Sequence, residues 1–138
     1  MSKVFLDTNI LIYALAHDSG EKSESCRVAL ANVRRQHEGV ISTQVLQEFY
    51  VTATQKIKVK PTLAREMLSR LENFEVITLS PDLIREAIDC QQLSKISFWD
   101  ALIVVAAESA HCETLYTEDL NHGQKIRGVR VENPFKDC

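Results

Sequence analysis

Lys3-Val4-Phe5-Leu6-Asp7-Thr8-Asn9 is an apolar, β-prone run that stops at an acid, a hydroxyl and an amide. Val4, Phe5 and Leu6 do not alternate with polar residues. They therefore predict a strand covered on both faces, as in a parallel sheet between helix layers. Ile10-Leu11-Ile12-Tyr13 then predicts a helix that Thr8 or Asn9 would cap. Asp7 has two readings at this point. It belongs to a helix start, where Asp, Asn and Thr satisfy free backbone N–H groups, or it is an acid placed at a strand end for chemistry. The other acids decide.

Downstream, strands and helices alternate. Glu21 to Gln36 predicts a helix with Cys26, Val28, Ala29, Leu30 and Val33 on its apolar side and cations at its C-terminal end, where they suit the helix dipole. Gly39-Val40-Ile41-Ser42 predicts a second strand opened by a glycine stop signal. On the helix from about Thr43 to Lys56, the residues Val45, Leu46, Phe49, Ala53 and Ile57 share one face, while Glu48 projects elsewhere within two turns of the start. A solvated glutamate is the default there. Lys56, Lys58 and Lys60 alternate through a short link to Pro61, a favourable first helical residue. Such a run is most often a solvated turn, but it is also the best candidate for touching a polyanion. The next helix, to about Asn73, turns Leu63, Met67, Leu68 and Leu71 inward.

Phe74 to Leu79 predicts a third strand, and Ser80-Pro81-Asp82 starts a helix running to about Leu93. Ser97-Phe98-Trp99-Asp100 opens a helix whose continuation, Ala101 to Ala107, is apolar all round and hence buried. Asp100, three residues after Ser97, stands where a capping box places an acid. Thr114-Leu115-Tyr116 predicts a fourth strand, followed by Thr117-Glu118-Asp119, which repeats the opening pattern of strand, hydroxyl and acid. Val129 to Glu132 predicts an edge strand.

The 138 residues suit one α/β domain, and 45% hydrophobic with 25% charged residues is the globular norm. No segment has the pattern of an export signal or the length of a membrane span, so a cytoplasmic location and no membrane partner are expected. Cys26, Cys90, Cys112 and Cys138 lack C-x-x-C spacing and predict reduced, mostly buried thiols. His17, His37, His111 and His122 are scattered, which disfavours a zinc site and suits surface or cap positions.

Strands alternating with helices predict a three-layer α/β/α domain with a parallel sheet of four to five strands. In such sheets the functional crevice lies beyond the carboxyl ends of the strands. Asp7 and Asp119 fall there directly, Glu48 leaves strand two, and the helix that begins near Asp100 spans the sheet at ~1.5 Å per residue. All four acids are expected to converge. Neighbouring carboxylates disfavour each other's ionisation. Hard divalent cations relieve that, and oxygen-only ligands match Mg²⁺ or Mn²⁺. Metal-assisted phosphodiester cleavage is the chemistry such a site performs. The net charge of −3 argues at first against a nucleic-acid partner, but discounting four cation-bound carboxylates turns it into +1 and leaves room for a local basic patch.

Phe5-Leu6-Asp7-Thr8-Asn9, Glu48 within Ser42 to Phe49, Asp100-Ala101-Leu102-Ile103, Leu115-Tyr116-Thr117-Glu118-Asp119 and the closing Val131 to Phe135 together resemble the PIN-domain ribonucleases, especially the VapC-type toxins of toxin–antitoxin pairs. The resemblance spans essentially the whole chain. It implies a Mg²⁺- or Mn²⁺-dependent endonuclease of single-stranded RNA, usually a homodimer inhibited by a co-encoded antitoxin. By position it makes Asp7, Glu48, Asp100 and Asp119 the metal-binding quartet and Asn9 and Thr117 the residues that orient it. Glu118 is an auxiliary acid, and the RNA surface, to which Lys56, Lys58 and Lys60 are assigned, does not transfer.

Rival classes fit less well. A haloacid-dehalogenase-like phosphatase needs an acid where Asn9 stands, and a receiver needs a pair of acids before its phosphorylated one. No glycine-rich phosphate loop follows a strand. A non-catalytic PIN-fold module that binds RNA or protein is the remaining alternative, and the complete quartet argues against it.

Overall fold

The computed structural model describes residues 2–17 and 20–135. Its strands are β1 (Lys3–Leu6), β2 (Glu38–Ser42), β3 (Glu75–Ile77), β4 (Thr114–Tyr116), β5 (Lys125–Ile126) and β6 (Val129–Glu132). The helices are α1 (Thr8–Leu11), α2 (Gly20–Gln36), α3 (Thr43–Gln55), α4 (Pro61–Leu71), α5 (Pro81–Ser94) and α6 (Phe98–Ser109). A π-helical turn, Ile12–Ala16, continues α1. The strands form one sheet in the order β3-β2-β1-β4-β6-β5, parallel throughout except for the β5–β6 pair. This is the three-layer α/β/α architecture expected from the alternating pattern, with five parallel strands and one short antiparallel addition.

β1 lies in the middle because its sequence allows nothing else. Val4, Phe5 and Leu6 are all buried, and a strand with no polar face needs a neighbour on each edge and a cover on each side. β2 and β4 supply the edges, with Phe5 opposite both Val40 and Leu115. α6 is the most apolar helix, and every residue from Ala101 to Ala107 is buried. It packs on α5 and against β2, β4 and β6.

The chain moves from β1 outward through β2 to β3, then returns to the other side of β1 for β4. The strand order therefore reverses between β1 and β4, and a crevice opens beyond their carboxyl ends. Asp7 directly follows the first of these strands and Thr117 the second.

Several local expectations are corrected. Val129–Glu132 is not an edge strand but pairs with β4 on one side and β5 on the other. The hairpin turn between β5 and β6 is Arg127-Gly128, with φ of 50° and 81°. Positive φ at both central residues is what a two-residue type I′ turn requires, and glycine supplies the second without strain. Arg127 secures this turn through Glu86 of α5 at 2.7 Å and Glu108 of α6 at 3.0 Å.

Gly39 does not stop a helix but lies within β2, where a Cβ would come within 2.6 Å of the Phe74 ring. In α4, Met67, Leu68 and Leu71 face the core as expected, but Ala64 takes the inward place of Leu63. Leu63 is 49% exposed while Ala64 and Leu71 are buried. In α2, Val28 faces outward and Ser23 joins Cys26, Leu30 and Val33 inside. Cys26, Cys90 and Cys112 are buried as expected, and burial pushes the Cys112 thiol up to about 12. Cys138 lies outside the described residues.

Candidate active site

Asp7 is both a helix cap and an acid at the crevice, so its two sequence readings are one residue doing two things. Its backbone N–H still reaches across the sheet to the Tyr116 carbonyl at 3.1 Å. Its φ and ψ are extended, and its carboxylate caps α1 by accepting the Thr8 N–H at 2.7 Å. The other carboxylate oxygen accepts the Thr117 hydroxyl at 2.7 Å. Thr117 comes from the end of β4, so a single hydrogen bond joins the two strand ends that flank the crevice. The same hydroxyl oxygen accepts the Asp119 N–H at 3.1 Å, which sets the start of the Asp119 loop.

The Asp7 carboxyl is only 7% exposed. Burial pushes it up to about 7, with the Asp119 and Glu48 charges adding to the rise and the Thr117 and Thr8 hydrogen bonds opposing it. The Asp119 carboxyl is likewise raised, by partial desolvation first and then by the charges of Asp100, Glu118 and Glu48. Asp7, Glu48 and Asp119 line one cleft of about 390 Å³, together with Thr8, Asn9 and Thr52. Asp100 does not line that cleft, yet it lies close enough for its charge to act on Asp119. The four acids therefore share one electrostatic neighbourhood.

Glu48 enters from the second turn of α3. One of its oxygens accepts the Thr8 hydroxyl at 2.6 Å and the other accepts the Gln44 amide at 3.3 Å. The Gln44 amide also donates to the Trp99 carbonyl at 3.2 Å. Gln44 thus couples the start of α3 to the start of α6, where Asp100 sits. It is 5% exposed, and its Oε1 has no hydrogen-bond partner among the described residues. Asp100 itself is half-buried, and its N–H donates to the Ser97 side chain at 3.0 Å in the predicted capping arrangement.

Thr117 donates to Asp7. Asn9 lines the cleft beside Asp7, Glu48 and Asp119. It donates to Glu118 at 3.3 Å, and Glu118 also pairs with Lys22 at 3.1 Å. The auxiliary acid is therefore held by Asn9 and Lys22 on the flank of the site. Two residues that do orient the quartet, Thr8 and Gln44, were not singled out from sequence. Gln44 had a signal, since it precedes Glu48 by four positions on one helix. Of the three lysines, Lys56 lines a neighbouring cavity, while Lys58 and Lys60 are exposed on the link.

The donor set is all oxygen, with carboxylates whose ionisation is held back by burial and by one another, and that chemistry fits a hard divalent cation. As the side chains stand, no three Asp, Glu, His or Cys among the described residues form a group that could hold a metal ion. Asp7 and Glu48 each turn both oxygens toward protein donors.

The PIN domain profile matches residues 4–126, and the chain therefore belongs to the PIN-domain family of nucleases. The match takes in Asp7, Glu48, Asp100 and Asp119. Among solved structures, the chain is similar to a chain of a toxin–antitoxin complex from Klebsiella pneumoniae, at 27% identity and a TM-score of 0.71, covering 95% of this chain and 97% of that one. It shares its fold with a chain of VapBC2 from Rickettsia felis bound to a promoter DNA fragment, at 22% identity and a TM-score of 0.69, covering 95% and 98%. It also shares it with VapC20 of Mycobacterium tuberculosis, a sarcin–ricin-loop-cleaving toxin, at 16% identity and a TM-score of 0.63, covering 81% and 86%. No curated protein sequence matches. Among the described residues no helix is long and apolar enough to cross a membrane.

Proposed function

We propose that this PIN domain is a metal-dependent endoribonuclease that cuts single-stranded RNA, and that it acts in the cytoplasm as a VapC-type toxin held in check by an antitoxin protein. The observation that carries this reading is the gathering of Asp7, Glu48, Asp100 and Asp119 at the carboxyl end of the sheet, where each of Asp7 and Asp119 feels at least two of the others. The toxin role is supported by the likeness to the toxin–antitoxin structures, and the RNA substrate by the activity of the M. tuberculosis relative. A homodimer follows from the same family resemblance.

Asp7, Glu48, Asp100 and Asp119 would hold Mg²⁺ or Mn²⁺. When bound, such a cation acidifies water for attack and neutralises charge building on the phosphodiester. The chain's own contribution is positional. Thr117 holds one Asp7 oxygen and Thr8 holds one Glu48 oxygen, so the orientations of both carboxylates are set by the fold. The Gln44 bond to the Trp99 carbonyl fixes the start of α6 relative to Glu48, and with it the position of Asp100.

The test is cleavage of a single-stranded RNA by purified protein with Mg²⁺, Mn²⁺ or a chelator. Asp7→Asn and Asp100→Asn are expected to lower the metal-dependent rate at least ~100-fold with the fold intact by circular dichroism. Undiminished cleavage in both variants would show that the nuclease site lies elsewhere. A well-folded wild type that binds RNA and never cuts it would favour the binding module instead.

A further inference from the structure

Beyond Asn9 and Thr52 the acid-lined cleft meets a second cavity of about 320 Å³, and these two residues line both. α3 joins the two spaces. Glu48, Thr52 and Lys56 stand at successive i, i+4 positions, so one stripe of the helix runs from the acids to a cation over about 12 Å at ~1.5 Å per residue. The apolar lining that the second cavity offers is the half-buried Tyr13 and Ile57, with Ile12 buried behind them. Its one acid, Glu118, is already paired with Lys22 and bonded by Asn9. Lys56 makes no ion pair among the described residues, so the cavity offers one cation that no carboxylate holds.

A pocket with an apolar wall, one uncompensated cation and a polar join to a cluster of carboxylates suits one nucleotide of a single strand. The base has a flat apolar surface to cover, and the backbone phosphate has a cation to meet. Thr52 and Asn9 stand at the join, where the connecting ribose would lie, and a 2′-hydroxyl is the group by which RNA is told from DNA. Lys58 and Lys60 line neither cavity.

We propose that the second cavity is a nucleotide subsite that seats the residue of single-stranded RNA next to the scissile phosphodiester, its base against Tyr13 and Ile57 and its phosphate on Lys56. The proposal rests on the nuclease reading above. The experiment separates the two by measuring binding and cleavage independently. Fluorescein-labelled oligouridylate and oligoadenylate of about six nucleotides are titrated with the whole protein in EDTA by fluorescence polarisation. Then kcat/KM is measured on the same RNAs with Mn²⁺. Lys56→Glu is expected to weaken binding about tenfold or more and to lower kcat/KM alongside it. Thr52→Tyr, which fills the join without changing charge, is expected to do the same. Arg130→Glu, at the opposite end of the sheet, controls for net charge and is expected to change binding less than about threefold.

Wild-type-like binding in both Lys56→Glu and Thr52→Tyr overturns the subsite while the nuclease reading stands. If the wild type cuts neither RNA, the nuclease reading fails, and the EDTA titration still judges whether the cavity seats RNA. If the two variants keep RNA but lose a co-expressed protein partner, the cavity is a protein site and the proposal falls.

Discussion

Asp7 and Asp100 both stand at helix starts, and both belong to the same acid cluster, but the protein treats them oppositely. Asp7 follows the central strand, is buried, and spends both oxygens on donors from α1 and β4. Asp100 lies in the first turn of α6, is half-exposed, and is positioned through its backbone N–H on Ser97. One acid is fixed by the fold's interior and carries the cost of its burial, whereas the other is fixed by a cap and keeps contact with solvent. A carboxylate needs metal most where water is least available to it.

Substitution separates the two. The Asp7 carboxyl is raised from 3.8 to about 7 in the folded chain, so the folded state holds its proton more tightly than the unfolded state does. Its contribution to stability is then undiminished below pH 4, is lost as pH rises toward 7, and stays lost above. In EDTA, Asp7→Asn should therefore flatten this part of the pH–stability curve. At pH 8 it should stabilise the metal-free protein by on the order of 2 kcal/mol, after allowance for poorer hydrogen bonding by the amide. Asp100→Asn should change stability by less than about 0.5 kcal/mol, as at other half-exposed sites. Urea midpoints at pH 5 and pH 8 check both, and a destabilised Asp7→Asn at pH 8 would contradict the account of its burial.

A smaller effect tests the bond between the two strand ends. Thr117→Val removes the hydroxyl that holds Asp7 down, so the Asp7 carboxyl should rise further and the acid limb of the cleavage profile should move to higher pH. The rate at neutral pH should fall about 10- to 100-fold. A profile that drops without moving would mean that Thr117 acts through packing alone. The smallest effect belongs to the other side of the comparison. Ser97→Ala removes the α6 cap at a cost of about 1 kcal/mol, read as a urea midpoint shift, with only a few-fold loss of cleavage.

The location of the acids was legible because it depends on strand ends, and strand ends are marked by where an apolar run stops. Asp7 and Asp119 are read that way with no knowledge of packing. The even spacing of Lys56, Lys58 and Lys60 was legible too, but not that the first alone lines the cavity beside the acid cleft, because the chain leaves α3 just after Lys56 and Lys58 has φ of 66°. Gly39 looked like punctuation because a glycine's reason is often its neighbour in space, here Phe74, distant in sequence. The Leu63 and Ala64 exchange in α4 has a related cause. An apolar stripe about 100° wide leaves its boundary residues undecided until the opposing surface is known. The Lys22–Glu118 pair, whose members are 96 positions apart, had no local signature.

β6 has one more consequence, for the order of events during synthesis. The Thr117 N–H donates to the Glu132 carbonyl at 3.1 Å and the Gly123 N–H to that of Val131 at 2.8 Å, so the loop bearing Asp119 is stitched to a strand made after it. A nascent chain still lacking residues 129–132 has no partner for those donors and an open flank on β4. The Asp119 loop is therefore fixed only after residues 129–132 have been made, although none of them lines the acid cleft.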